Sequence, residues 1–207
     1  MMFISRSPGF FLLSLSLSLS LLSCVAKQNE ETMNQHSTDE FVNSLLYPPA
    51  PESSPDPLKL FRPLIGDWEW TGTDYLDDGR KLQTRGQWNF REVLYGNAIQ
   101  DVFIFEDPGN NSQHHSFAEY GTTVRFPIDN GSIWRAVFVG PMNNIIRLLD
   151  ATLIGNEIVH EGTNDKGHRI HWIFSNISEE SFHWRGEYSS DGGKTWNLYE
   201  ELEARKK

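Results

Sequence analysis

The sequence predicts an all-β fold, an antiparallel up-and-down barrel of about ten strands. Three observations predict it. Beyond Gly66 apolar residues alternate with polar ones, turn signals recur about every ten to fifteen residues, and helical periodicity is almost absent. An open meander of this length would expose two strand edges, and closure into a barrel removes them. A two-sheet sandwich is the second choice.

The elements follow in order. Pro57 to Ile65 reads as a short helix, with Leu58, Phe61 and Ile65 on one face. In the first strand Trp68 and Trp70 alternate with Asp67, Glu69 and Thr71, and Asp77-Asp78-Gly79 turns the chain. In the second, Thr84, Gly86, Trp88 and Phe90 alternate with Arg85, Gln87, Asn89 and Arg91, and Tyr95-Gly96-Asn97 ends it. Ile99 to Phe105 is a third run, in which Gln100 shares parity with Ala98, Val102 and Ile104. His115 to Phe126 and Ile133 to Val139 flank Ile128-Asp129-Asn130-Gly131, a strong hairpin signal. Five further runs complete the set: Ile145 to Ile154, Glu157 to Gly162, His168 to Phe174, Phe182 to Tyr188 and Thr195 to Ala204. Turns rich in Gly, Asn or Ser separate them.

The N-terminal quarter is of another kind. Residues 1–23 hold one charge, Arg6, then an apolar stretch from Phe10 that alternates Ser with Leu up to Leu22. This is the pattern of a secretory signal peptide, and it is too short and too polar to span a bilayer. Leu21-Leu22-Ser23-Cys24 resembles the bacterial lipobox, whose Cys is lipidated and becomes the first residue of the mature chain. That resemblance makes Cys24 the lipidation site. Two or more acyl chains give a stable anchor, and Val25 after the Cys implies the outer membrane, facing the periplasm. Residues 24–55 are rich in Gln, Asn, Glu, Ser and Thr and end in a Pro cluster, and they read as a lipidated flexible tether. Residues 56–207 form the barrel domain and carry all seven Trp.

Gly66-Asp67-Trp68, directly after the short helix, resembles the Gly-x-Trp signature of lipocalins and other calycins. The resemblance implies that Trp68 closes the barrel base and that Arg205, near the end of the last strand, lies across its indole. The wider pattern is similar to a bacterial family of secreted or lipid-anchored calycin-like proteins of unknown function. The residues that carry it are Ile65-Gly66-Asp67-Trp68, Gly121-Thr122-Thr123-Val124-Arg125, Ile173-Phe174-Ser175-Asn176-Ile177 with Ser181-Phe182 and Trp184, and the run from Tyr188 to Trp196. It implies a fold and no reaction or ligand.

Composition narrows function. Lys and Arg number 18 against 28 Asp and Glu, giving a net charge of −10, and nucleic acid as a partner is excluded by that balance. One Cys excludes a disulfide framework and a Cys-rich zinc module. Ser189-x-Asp191-x-Gly193-x-Thr195-Trp196 fits an Asp-box, a turn device that occurs once here and therefore does not announce a propeller. No His-x-His occurs, so one strand face cannot present two imidazoles, and neither a metal nor a cofactor is expected. The pairs Asp77-Asp78, Glu179-Glu180 and Glu200-Glu201 lie beside turns or at the chain end, where solvated carboxylates are expected.

Trp88, Phe90, Trp172, Phe174 and Trp184 suit an aromatic interior, either hollow or filled by side chains. Glu92 shares parity with Trp88 and Phe90, Arg147 interrupts the apolar run Ile145 to Leu149, and a Glu92–Arg147 pair would satisfy both charges. His160 shares a face with Ile158 and Gly162; some calycin-like barrels hold haem through one such inward His. The first reading is an envelope-anchored lipoprotein whose barrel binds an apolar or amphipathic small molecule through Trp88, Phe90, Glu92, Arg147, His160, Trp172 and Trp184, and which reaches the membrane through its lipid. The alternatives are a cyclase- or hydrolase-type enzyme using the cavity, a haem-binding barrel, and a structural envelope protein without ligand. No nucleophile elbow, phosphate loop or triad spacing supports an enzyme.

Overall fold

A computed structural model describes residues 40–46, 56–106 and 119–207. The signal segment, Cys24, most of the tether and the His114-His115 pair lie outside the described residues. Residues 40–45 form a short helix in a unit separate from the barrel.

The barrel consists of β1 (Gly66–Tyr75), β2 (Lys81–Val93), β3 (Ala98–Glu106), β4 (Glu119–Ile128), β5 (Ile133–Gly140), β6 (Ile145–Ile154), β7 (Glu157–Thr163), β8 (Arg169–Ser175), β9 (Ser181–Ser189) and β10 (Asn197–Lys206). Each strand pairs antiparallel with its successor, and β1 pairs with β10, so the sheet has no free edge. The fold is calycin-like, all-β and closed, and it excludes the sandwich. Alternation holds because each inward residue needs an apolar or hydrogen-bonded setting while its neighbours stay in water.

One end of the barrel is packed solid. Trp68, Phe90, Trp134, Phe174, Phe182 and Ala204 converge there at 1% exposure or less. Pro57 to Leu64 lies over this end as consecutive turns and a single 3-10 turn (Arg62–Leu64), rather than the regular helix expected over Pro57 to Ile65. Pro57 and Pro63 lack backbone donors and limit helical hydrogen bonding. Leu58, Phe61 and Leu64 are its fully buried residues, and Ile65 is only partly covered. Trp68 Nε1–H donates to the Leu64 carbonyl at 2.8 Å, which fixes the plug to β1.

The cation beside Trp68 is Lys206, with Nζ 5.4 Å from the ring, and not Arg205. Alternation decides the matter. Trp68 lies opposite Lys206 across the β1–β10 ladder, whereas Arg205 lies opposite Glu69 on the outer face and is exposed. The structure also decides the phase of β3. Ile99, Asp101 and Phe105 are buried while Val102 is 41% exposed, so Asp101 enters the interior and Gln100 bonds Thr122 at 2.9 Å.

Above the packed end lies a buried ion pair. Arg125 Nη1 donates to Asp101, and Thr123 N donates to the other Asp101 oxygen at 3.2 Å. The guanidinium also lies between 5.5 and 5.8 Å from the rings of Phe61, Phe90 and Phe174. His160 completes the network, taking a 3.4 Å contact from Arg125 Nε on Nε2 and standing 3.0 Å from the Trp172 carbonyl through Nδ1. The carbonyl requires Nδ1 to carry a proton and the Arg125 Nε–H requires Nε2 to accept, so the ring is neutral. Burial first, and Arg125 second, push its pKa down to about 3.

The Asp-box motif serves the β9–β10 turn. Asp191 accepts from Lys194 N and Thr195 N, both at 2.9 Å, and from Ser189 and Thr195 hydroxyls at 2.7 Å. Those bonds, led by Thr195 N, hold its carboxyl below the usual range.

Arg125→Met should destabilise the protein by about 3–5 kcal/mol in urea denaturation, because Asp101 is then a buried charge without its partner. Adding Asp101→Asn to that variant should recover part of the loss. A double variant no better than the single would show that the pair does not act as a unit.

Candidate functional site

The other half of the barrel interior is open. A cavity of about 560 Å³ occupies it, above the roughly 300 Å³ at which ligand pockets begin. Trp88, Trp184, Thr123 and Arg125 lie toward the packed end. Phe103, Phe105, Phe138, Ile170, Trp172, Tyr188 and Tyr199 form aromatic and apolar walls, and Asp77, Asn143, Asn164, Lys166 and His168 come from the turns and strand ends around the mouth.

Packing of rings against rings makes these walls firm. Trp88 meets Phe103 at 5.0 Å and Trp184 at 6.1 Å, and Phe138 stands edge-on to Trp172 at 5.3 Å. Trp172 Nε1–H donates to Tyr199 Oη at 2.5 Å. Tyr199 comes from a register shift between Leu198 and Glu200 on β10, and both Tyr199 and Glu200 line the cavity. Gly186 makes room for that ring, since a Cβ there would stand 2.5 Å from Tyr199 Cζ. The indole Nε1 atoms of Trp88 and Trp184 are buried without hydrogen-bond partners.

Four acids (Asp74, Asp77, Glu119 and Glu200) and four basic side chains (Arg125, Arg147, Lys166 and His168) share the cavity lining, and Glu119, Arg125 and Arg147 are satisfied within the protein. Glu119 accepts from Asn143 Nδ2 at 2.8 Å and from Tyr120 N at 3.0 Å. Arg147 makes a two-pronged contact with Asp165 at 2.9 and 3.0 Å. Asp74 and Glu200 differ. They are directly opposed across the β1–β10 ladder and both line the cavity. Burial raises the pKa of Asp74 to about 6, and burial with the nearby Asp74 charge raises Glu200 to about 8.

The sequence-derived candidates divide accordingly. Trp88, Arg147, Trp172 and Trp184 line the cavity. Phe90 belongs to the packed end, where it is fully buried. Glu92 accepts from Arg62 at 2.9 Å, and Arg147 holds Asp165, so the two do not pair with each other. They sit near opposite ends of the barrel, since β2 finishes at Val93 and β6 begins at Ile145. His160 has both ring nitrogens engaged and does not line the cavity, so no nitrogen is free for haem iron in this arrangement. His171 is held by Glu161 and Glu187 outside the interior and stacks on Trp196 at 3.6 Å.

Asp74, Glu119, Arg125, Tyr199 and Glu200 are among the lining residues that sequence reasoning missed. Glu200 is the plain correction, because it faces inward while Glu201 contacts Tyr75 and His183. The signal was present: Glu200 shares parity with Leu202 and Ala204, and Asp74 with Trp68 and Trp70. Tyr199 had none, since a bulge breaks the parity that would locate it.

The raised carboxyls have a consequence for stability. Glu200 is more protonated in the folded state than in the unfolded one between its ordinary 4.5 and about 8. Its contribution is therefore fully present below that window and is lost as pH rises through it. Glu200→Gln should be progressively more stable than the wild type from pH 5 to 8 in matched urea melts. A constant difference across that range would show that Glu200 titrates normally.

No family model matches the sequence, and no curated protein matches it. Solved structures do. Rv2717c from M. tuberculosis aligns with a TM-score of 0.55 at 11% identity, covering 73% of this chain and 97% of its own. The S-type phycobiliprotein lyase CpeS from Guillardia theta aligns with a TM-score of 0.53 at 9% identity, covering 72% and 91%. At such identities the likeness is one of fold, and that fold is the calycin-like ten-stranded barrel.

Proposed function

We propose that this protein is a lipid-anchored envelope protein whose barrel binds an apolar or amphipathic small molecule. The observation that carries the reading is the aromatic-walled cavity of about 560 Å³. A barrel of this size can be filled by its own side chains, and this one is filled only at the plugged end. A cavity with apolar walls and a few convergent polar groups is the common form of a small-molecule site. CpeS, one of the fold neighbours, is described as a phycobiliprotein lyase. The envelope half of the proposal rests on the leader ending in Leu21-Leu22-Ser23-Cys24. Anchoring through Cys24 places the barrel at the outer membrane on the periplasmic side, at the end of a tether of about thirty residues.

Mass spectrometry of organic extracts from the natively purified protein should recover a co-purifying small molecule. A polarity-sensitive fluorescent dye should bind the emptied protein, and Ile145→Trp, which narrows the cavity, should weaken it by about tenfold or more. Equal dye binding by that variant would place the dye elsewhere and count against the cavity as the site. Separately, Cys24→Ser should move the protein from the membrane to the soluble fraction, and unchanged fractionation would remove the anchor.

A further inference from the structure

Asp74 and Glu200 form an uncompensated carboxylate pair in the cavity. Neither receives a hydrogen bond or an opposite charge among the described residues, and Asp74 Oδ1 is buried without a partner. Their ladder neighbours offer nothing: Asp74 lies beside Leu82 on β2, and Glu200 beside Gly186 on β9. The other charged and titratable groups of the lining are Tyr199 on β10 itself and, from the other elements, Asp77, Glu119, Arg125, Arg147, Lys166, His168 and Tyr188. Of these Arg147 is already held by Asp165 and Glu119 by Asn143. Elsewhere in this protein interior charges are matched, as Arg125 is by Asp101. A second observation stands apart from the acids. Trp88 and Trp184, 5% and 6% exposed, line the same cavity with indole N–H groups that meet no acceptor. Unsatisfied donors toward the packed end and unsatisfied carboxyls on the β1–β10 wall are complementary to a molecule that supplies both partners.

We infer that the ligand of this cavity is an organic cation, a protonated amine carried on an aromatic or apolar body, seated with its charge at Asp74 and Glu200. The inference rests on the cavity being a binding site. The chemistry is that of carboxylates joined to ring faces. The amine gains two charge-assisted hydrogen bonds from the pair and the faces of Trp172 and Tyr199 beside them, while the body fills the aromatic walls. A neutral or anionic amphiphile would leave the carboxyls as they stand. Because the empty site holds about one proton on the pair near neutral pH, seating a cation expels it. Binding therefore releases protons and strengthens as pH rises from 6 to 8.

The test uses the mature protein and three probes of one shape: 1-naphthylmethylamine, 1-naphthalenemethanol and 1-naphthoate. Isothermal titration calorimetry at pH 7.5 should show the amine binding about tenfold or more tighter than the alcohol or the acid. Repeating the titration in buffers of different ionisation enthalpy should show proton release with the amine alone. Asp74→Asn with Glu200→Gln should abolish the amine's preference over the alcohol, with binding of the alcohol still detected. Equal affinity for the three probes, a preference for naphthoate, or a preference that survives the double variant would each overturn the inference while leaving the cavity a binding site. Failure of all three probes to bind the wild type would overturn both this inference and the small-molecule reading beneath it.

Discussion

The hydrogen-bonded closure of β1 on β10 is the constraint on which the rest depends. With the ladder continuous around the ring, every second side chain of ten strands is committed to a shared interior, and no edge is left for another chain to extend. The interior volume is then distributed by side-chain size. Trp68, Trp134, Phe90, Phe174 and Phe182, with Phe61 from the plug, fill one end. Toward the other end the wall residues do not fill the interior, and a cavity of about 560 Å³ remains between them. Packed floor and open mouth follow from one alternating pattern with an uneven distribution of bulk.

Between the two halves lies a polar layer that a purely apolar barrel would lack. Burying Arg125 and Asp101 costs desolvation that their mutual attraction offsets only with good geometry and further bonds. Here Thr123 N, the neutral His160 ring and three aromatic faces supply those bonds and contacts. Each group has one orientation in which all are satisfied. The network therefore specifies how β3, β4, β7 and β8 meet across the barrel, which aliphatic packing would leave looser.

Most of the fold was legible because period-two alternation and turn chemistry are local signals. The ten runs and their turns lie close to the observed strands, and Trp68 and Trp88 set the phase of β1 and β2 correctly. The phase stayed open where both faces of a strand are apolar. In β3 Val102 and Ile104 compete with Ile99, Phe103 and Phe105, and only the three-dimensional barrel shows that the second set is inside. At the end of β10 the resemblance to calycins pointed to Arg205, and parity with Trp68 belongs to Lys206. The site was legible in part. Trp88, Trp172 and Trp184 stand out as alternating aromatics, whereas an acid among Glu200 and Glu201 looks solvated until Leu202 and Ala204 are used to count back.

The extra residue in β10 sets Tyr199 and Glu200 side by side on the inner surface, which a regular strand forbids. Downstream of it the ladder from Leu202 to Lys206 keeps its register with β1. The barrel thus has a point at which its furnishings can be exchanged while its seam stays intact. Descendants of such a chain are free to change what the chamber admits by altering a residue or two at this irregularity, with the opposite, sealed end unaffected.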